Sequence, residues 1–135
     1  MRAMEWSAIA AIASVCVIGP ATAAEMTGAE IKELVSGKSV YLELTATSSG
    51  GAGQGVIYYA TDGTALYKTA KGVIWRGTWT IKGNTGCTDW KERPNNPCSK
   101  YDKQGDAITF TNAETGQPRG KVLKTAAGNA ENIAP

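Results

Sequence analysis

The stretch VIWRGTWTIK, residues 73–82, alternates between apolar or small and polar side chains over most of its length. A period of two is typical of a β-strand with one face on a core and the other in water. The pattern places Val73, Trp75, Gly77, Trp79 and Ile81 on the inner face. Trp75 and Trp79 are therefore expected to fill the interior, the more so because the chain has one phenylalanine. The alternative is that they line a barrel mouth that binds a small apolar or carbohydrate ligand.

Shorter runs on both sides predict seven more strands, separated by turn signals such as Asp62-Gly63 and Gly83-Asn84. The eight predicted strands span residues 39–45, 56–60, 65–69, 73–82, 87–91, 98–103, 107–112 and 120–125. Each is expected to pair with its neighbour along the chain. The predicted fold class is mainly β, a small antiparallel meander that curls into a calycin-like barrel, or into a strongly bent half-barrel, to remove its sheet edges.

A short N-terminal helix is predicted over 28–36. Thr27-Gly28-Ala29-Glu30 has the form of a capping box, and Ile31, Leu34 and Val35 form one apolar stripe behind it. Gly37 follows where a left-handed cap is required. Because nine residues are too few for a helix to be stable alone, the stripe should close one end of the barrel or cover its seam.

Residues 1–24 have the pattern of an export signal. Arg2 is followed by an apolar run over 7–18, then by Gly19-Pro20 and the small residues Ala21-Thr22-Ala23. We expect cleavage near Ala23 or Ala24, a periplasmic or secreted mature chain, one β-rich domain over 25–125 and a disordered tail over 126–135. A retained membrane anchor and a lipid on Cys16 are the weaker alternatives.

Cys87 and Cys98 are predicted to form a disulfide, since an isolated pair of cysteines in a small exported domain usually forms one. The turn-forming run Arg93-Pro94-Asn95-Asn96-Pro97 lies between them, so the bridge would staple the base of a loop. A redox-active pair is disfavoured by the wide spacing. Arg93, Asn95 and Asn96 are the candidate contacts to a protein partner.

The chemistry available to this chain is limited by the absence of histidine, which removes the commonest general base and metal ligand. Glu43 with Asp89 is the least implausible pair for carboxylate catalysis. Residues 102–106 lack the oxygen ligands of a calcium loop. We therefore expect no catalytic residues, no metal and no cofactor, and the formal charge of +2 gives no reason to expect a nucleic-acid partner.

A small ligand is the alternative to a protein partner. Its candidate contacts are Tyr58, Tyr59 and Tyr67, at the rim of the predicted barrel beside a glycine-rich connection over 49–55 that we interpret as flexible.

An ordered set of motifs resembles a family of small exported proteins of alpha-proteobacteria, the domain-of-unknown-function group numbered 995. The matching motifs are residues 27–34 with 36–38, Tyr58-Tyr59-Ala60 with Asp62-Gly63-Thr64, Gly77-Thr78-Trp79, the two cysteines, and Lys103-Gln104-Gly105-Asp106. The resemblance implies a secreted β-rich domain and supplies no activity.

The sequence thus favours a non-enzymatic periplasmic or secreted β-barrel protein that binds a small ligand or an envelope or extracellular protein. It is expected to be a monomer with no membrane span in the mature chain. The alternative is an inhibitor of a hydrolase such as a lysozyme or protease, by analogy of fold alone.

Overall fold

The structure, a computed structural model, describes residues 23–135. It contains one α-helix, α1 (Gly28–Val35), and nine β-strands in these residues: β1 (Ala24–Glu25), β2 (Lys38–Leu44), β3 (Gly53–Tyr59), β4 (Thr64–Lys68), β5 (Ile74–Lys82), β6 (Thr85–Trp90), β7 (Ser99–Gln104), β8 (Ala107–Asn112) and β9 (Pro118–Ala127). All of the predicted signal segment except its last two residues lies outside the described residues.

Strands β2 to β9 form an antiparallel barrel of eight strands, as the sequence predicts, and the barrel is closed, which the sequence left open. Each strand pairs with the next along the chain, and β9 pairs back with β2 to complete the ring. The two-residue strand β1 is additional and pairs with β7. Within the ring, the closing pair β2–β9 is distant in sequence, whereas each of the remaining pairs is joined by one loop or turn.

The core lies inside the barrel and follows the predicted alternation. Val40, Leu42 and Leu44 of β2 are buried, and Trp75, Trp79 and Ile81 of β5 pack against the core while remaining partly exposed. Val73 is the exception to the predicted inner face. It is 52% exposed because the chain is still turning there: the Thr69 amide donates to the Val73 carbonyl, and β5 begins one residue later.

The helix caps one end of the barrel. The Glu30 amide donates to the Thr27 hydroxyl and the Thr27 amide donates to the Glu30 carboxylate, so the predicted capping box is present. Ile31 and Val35 are buried. A Cβ on Gly28 would lie 2.2 Å from the Gly83 carbonyl oxygen, so only glycine lets the helix approach the β5–β6 turn this closely.

The opposite end of the barrel carries four loops, because successive hairpins of a meander turn at alternate ends. These loops span residues 45–52, 69–73, 91–98 and 113–117. We call this the loop end, and the other the helix end.

The β6–β7 seam is the weakest in the ring. Its ladder contains one pair, Gly86 with Ser99, whereas β2 and β3 share seven. The disulfide predicted between Cys87 and Cys98 is present, with Cα atoms 4.3 Å apart. These cysteines occupy the next position of the same antiparallel register, so the covalent bond continues the ladder where its hydrogen bonds end.

The C-terminal tail differs from the predicted disordered segment 126–135. Strand β9 extends to Ala127, and the residues beyond it fold over β2, where the Ser39 hydroxyl donates to the Gly128 carbonyl and accepts from the Ala130 amide. Ile133 is buried. The tail has no periodic pattern because it docks through these few contacts and not along a regular face.

Within residues 23–135, the single helix is too short to cross a membrane.

Candidate functional site

An internal cavity of about 50 Å³ lies in the barrel. One part of its wall is apolar and includes Ile31 and Val35 of the helix, together with Leu42, Leu44, Ile57 and Phe110. The other part is polar and belongs mainly to the loop end; its members are Ser48, Ser49, Tyr59, Tyr67, Thr80, Thr88, Asn96, Ser99, Tyr101 and Arg119. The cavity is therefore amphipathic.

Arg119 reaches the interior because of a bulge in β9. Phe110 of β8 pairs with Gly120, but its neighbour Thr111 pairs with Pro118, so Arg119 is the extra residue between them. A regular strand with Gly120 facing inward would point Arg119 outward. The bulge re-aims the side chain, which is 7% exposed.

The Arg119 guanidinium joins two loops of the loop end. Its Nη1 donates to the Pro97 carbonyl at 2.9 Å and to the Ser99 hydroxyl at 2.8 Å. Its Nη2 donates to the Ser49 hydroxyl at 3.0 Å and to Asn96 Oδ1 at 3.1 Å. All four acceptors are neutral. The guanidinium therefore has hydrogen-bond partners and no counter-ion among them.

Acidic groups do not compensate this charge elsewhere in residues 23–135. The ion pairs found there join Arg76 with Glu92 and Lys121 with Glu43, both away from the cavity. Burial lowers the pKa of Arg119, the neighbouring Tyr101, Tyr59 and Tyr67 partly offset this, and Arg93 makes the smallest contribution, which also lowers the pKa. An arginine side chain nevertheless stays protonated in proteins, so the interior carries an unneutralised positive charge.

The three tyrosines around the cavity remain neutral. Burial raises the pKa of Tyr67 to about 12 and raises the pKa of Tyr59 well above its usual value. Burial also raises the pKa of Tyr101, whose hydroxyl shares a hydrogen bond with that of Tyr59. At neutral pH none of these phenols supplies the missing negative charge.

Tyr67 carries a buried hydroxyl group without a hydrogen-bond partner, the single such side-chain atom found in residues 23–135. Its ring is 2% exposed and packs against Trp75 and Trp90. A Cβ on Gly50 would lie 2.9 Å from the hydroxyl oxygen, so the 45–52 loop covers this group closely. A buried hydroxyl left unpaired costs about 1–3 kcal/mol.

The glycine-rich connection is held at its start, contrary to the interpretation of 49–55 as flexible. The buried Ser48 hydroxyl donates to the Arg119 carbonyl, and the Ser49 hydroxyl donates to Asn96. Gly53 to Gly55 already belong to β3. Ser49 contacts Arg119 and the next residue covers Tyr67, so this loop joins the two polar groups of the site.

The predicted ligand contacts divide between the two faces of the sheet. Tyr59 and Tyr67 are buried and line the cavity. Tyr58 lies between two inward residues of β3 and pairs with Ser39, on the outer face that the tail covers. The three tyrosines therefore do not form one rim, since adjacent residues of a strand point to opposite faces.

The predicted partner contacts also separate. Arg93 and Asn95 are exposed, and Asn95 has a positive φ of 60° at the tip of its loop. Asn96 instead points inward, where its amide donates to the Thr88 carbonyl and hydroxyl and its oxygen accepts from Arg119. Asn96 fixes the loop and is not available to a partner on the outside.

The carboxylates Glu43 and Asp89 are both exposed, on β2 and β6, and line different surface depressions. Glu43 lies 3.3 Å from the Lys121 ammonium group. Across residues 23–135, no group of three histidine, cysteine, aspartate or glutamate side chains is placed to hold a metal ion.

Sequence reasoning missed Arg119, Ser48 and Ser99, whereas Ser49 lies in the 49–55 connection that the sequence placed beside the predicted ligand contacts. Arg119 precedes the predicted last strand, and period-two alternation would have pointed it outward. The bulge has no clear signature in the chain. Pro118, which cannot donate to a ladder, is the one hint of an irregularity there.

Comparisons of the chain with protein-family models, with curated proteins and with solved structures found no match.

Proposed function

We propose that this protein is a non-enzymatic binding protein that holds a small polar ligand inside its barrel. The observation that carries the proposal is the cavity whose wall contains both an unpartnered buried hydroxyl, on Tyr67, and a buried guanidinium without a counter-ion, on Arg119. Both groups are costly to leave in this state. A ligand that pairs with them would recover that free energy on binding.

The cavity also has the composition that is usual for a ligand-binding site. Ligand sites combine apolar walls with a few converging polar groups, and this cavity has both. The loop over 45–52 and the disulfide loop over 91–98 meet at Arg119, so the site is held at the end of a closed barrel. Binding would need no rearrangement of the strands.

Tyr67→Phe tests the proposal, because it removes the unpaired hydroxyl and keeps the ring. Without ligand, we expect the free energy of unfolding to rise by about 1 kcal/mol, since a buried unsatisfied group disappears. Binding of small solutes should weaken at the same time. The measurements are urea denaturation and thermal shift with a panel of formate, acetate, propionate, acetamide, ethanol and chloride.

Tyr58→Phe is the matched control, since Tyr58 lies on β3, the strand next to that of Tyr67, and faces the outside of the barrel. It should change neither stability nor binding. If no solute of the panel stabilises the wild type, or if Tyr67→Phe binds every solute as the wild type does, the cavity is not a ligand site and the proposal is wrong.

Export remains a prediction from residues 1–24. The intact mass of protein from the native host should show cleavage near Ala23 or Ala24. A monomeric state and the likeness to the group numbered 995 also remain predictions. The inhibitor alternative now depends on Arg93 and Asn95 alone, because Asn96 is engaged inside the loop.

A further inference from the structure

The charge of the barrel interior points to a particular class of ligand. We infer that the cavity binds a short-chain carboxylate of two or three carbons, with its carboxylate group toward Arg119 and the Tyr67 hydroxyl and its alkyl group on the apolar wall. This inference rests on the proposed function and names the ligand class of the same site.

The first step is the sign and size of the charge. Arg119 supplies one positive charge, its four hydrogen-bond acceptors are neutral, and the surrounding phenols keep their protons. One buried positive charge is balanced by one negative charge. A monoanion therefore fits better than a neutral solute or a phosphate dianion.

The second step is the position of the donor. The Tyr67 hydroxyl has no partner, and its raised pKa keeps it a donor at neutral pH. Ser49, which accepts from Arg119, is followed directly by Gly50, which contacts Tyr67. An anion in this part of the cavity would accept from Tyr67 while lying close to the guanidinium charge.

The third step is size and polarity. The cavity, at about 50 Å³, is a third of the roughly 150 Å³ cavity that accommodates benzene in an engineered protein core. Only a few heavy atoms fit. The aliphatic side chains that share the cavity wall with the polar groups, among them Val35, Leu42 and Leu44, favour an anion with a small alkyl part over an inorganic ion.

Acetate and acetamide provide the decisive comparison, because they have nearly the same shape and differ in charge. At constant ionic strength, we expect acetate to bind the wild-type protein at least about tenfold more tightly than acetamide, as a charge-assisted hydrogen bond implies. The readouts are the shift in melting temperature and the line broadening of ¹³C-labelled acetate. Tyr67→Phe should weaken acetate binding by a similar factor.

Variants of Arg119 separate its charge from its hydrogen bonds. Arg119→Lys keeps the charge and should keep the preference for acetate, whereas Arg119→Gln should abolish it. Arg76→Gln, on the exposed outer face of β5, is the matched control and should bind acetate as the wild type does. If the Arg119 variants fail to fold, the acetate–acetamide comparison in the wild type and Tyr67→Phe still decides.

The failures of the two proposals are distinguishable. Equal binding of acetamide and acetate, both dependent on Tyr67, would leave the ligand site standing and overturn the carboxylate assignment. Chloride binding as tightly as acetate would also overturn it, since the alkyl group would then contribute nothing to the affinity. Absence of binding by every solute would overturn the proposed function itself.

Discussion

Trp90 is a buried structural residue that packs directly against Tyr67, a residue assigned to the ligand site. Its side chain is 2% exposed and packs against Tyr67, at 5.6 Å, and Trp75, at 6.4 Å between ring centroids, and these two rings also contact each other, at 5.5 Å. The ring therefore supports the back of Tyr67, the residue whose hydroxyl we assign to the ligand. The sequence pointed to Trp75 and Trp79 as the interior tryptophans, and both are partly exposed.

Trp90→Ala is expected to lower the free energy of unfolding by about 3–5 kcal/mol, because it removes a fully buried aromatic side chain. Trp75→Ala should cost less, since part of that ring already contacts solvent. Urea denaturation followed by far-UV circular dichroism measures both. Equal costs for the two variants would contradict the placement of Trp90 at the centre of this cluster.

At the scale of elements, α1 depends on its capping box and on its contact with the β5–β6 turn. The Gly28 amide donates to the Asn84 side chain at 2.9 Å, so the first turn of the helix is joined to the turn that it covers. An eight-residue helix gains little stability from its own hydrogen bonds. The cap and the docked face must therefore hold it together.

Thr27→Ala is expected to lower the free energy of unfolding by about 1 kcal/mol, because the Glu30 amide loses its acceptor. The Thr27 backbone and side-chain hydrogen bonds also lower the pKa of Glu30. The stability linked to this carboxylate is therefore present above its unfolded-state pKa and is lost as the pH falls through the lowered folded-state value.

The measurement is thermal unfolding at neutral and acidic pH. Thr27→Ala should reduce the part of the acid dependence that Glu30 contributes, while Lys32→Ala, an exposed helix position, should keep it. A Thr27→Ala protein with the stability and pH profile of the wild type would show that the cap contributes nothing.

For the whole molecule, closure of the barrel depends on two contrasting seams. The β2–β9 seam joins strands far apart in sequence through seven registered pairs. The β6–β7 seam has one such pair, and the Cys87–Cys98 disulfide continues it. The disulfide also holds the base of the loop whose Asn96 and Pro97 contact Arg119, so barrel closure and the ligand cavity share one support.

The double substitution Cys87→Ser with Cys98→Ser is expected to cost roughly 3 kcal/mol, the chain-entropy value for a loop of this length. The loss should be local at first. Amide hydrogen exchange should accelerate over 85–90 and 99–104 while β2 and β3 stay protected. Uniform acceleration around the barrel would contradict the assignment of β6–β7 as the weak seam.

The sequence by itself determined the parts that depend on neighbouring residues. Alternation over 73–82 identified a strand with an inner face, the turn signals set the meander, and Thr27 with Glu30 marked the start of the helix. Each of these signals is local, because side-chain direction in a strand and hydrogen bonding at a helix start depend on residues a few positions apart.

Only the tertiary structure decided the rest, because the deciding contacts join distant residues. The β9 bulge that turns Arg119 inward exists in the register of β9 against β8, and alternation along β9 alone predicts the opposite face. The 45–52 loop packs over the Tyr67 hydroxyl and supplies no hydrogen-bond partner for it. The tail is ordered because it docks on Ser39 of β2. A local pattern predicts which face of the sheet a side chain occupies, whereas strand pairing across the barrel determines which other side chains it contacts there.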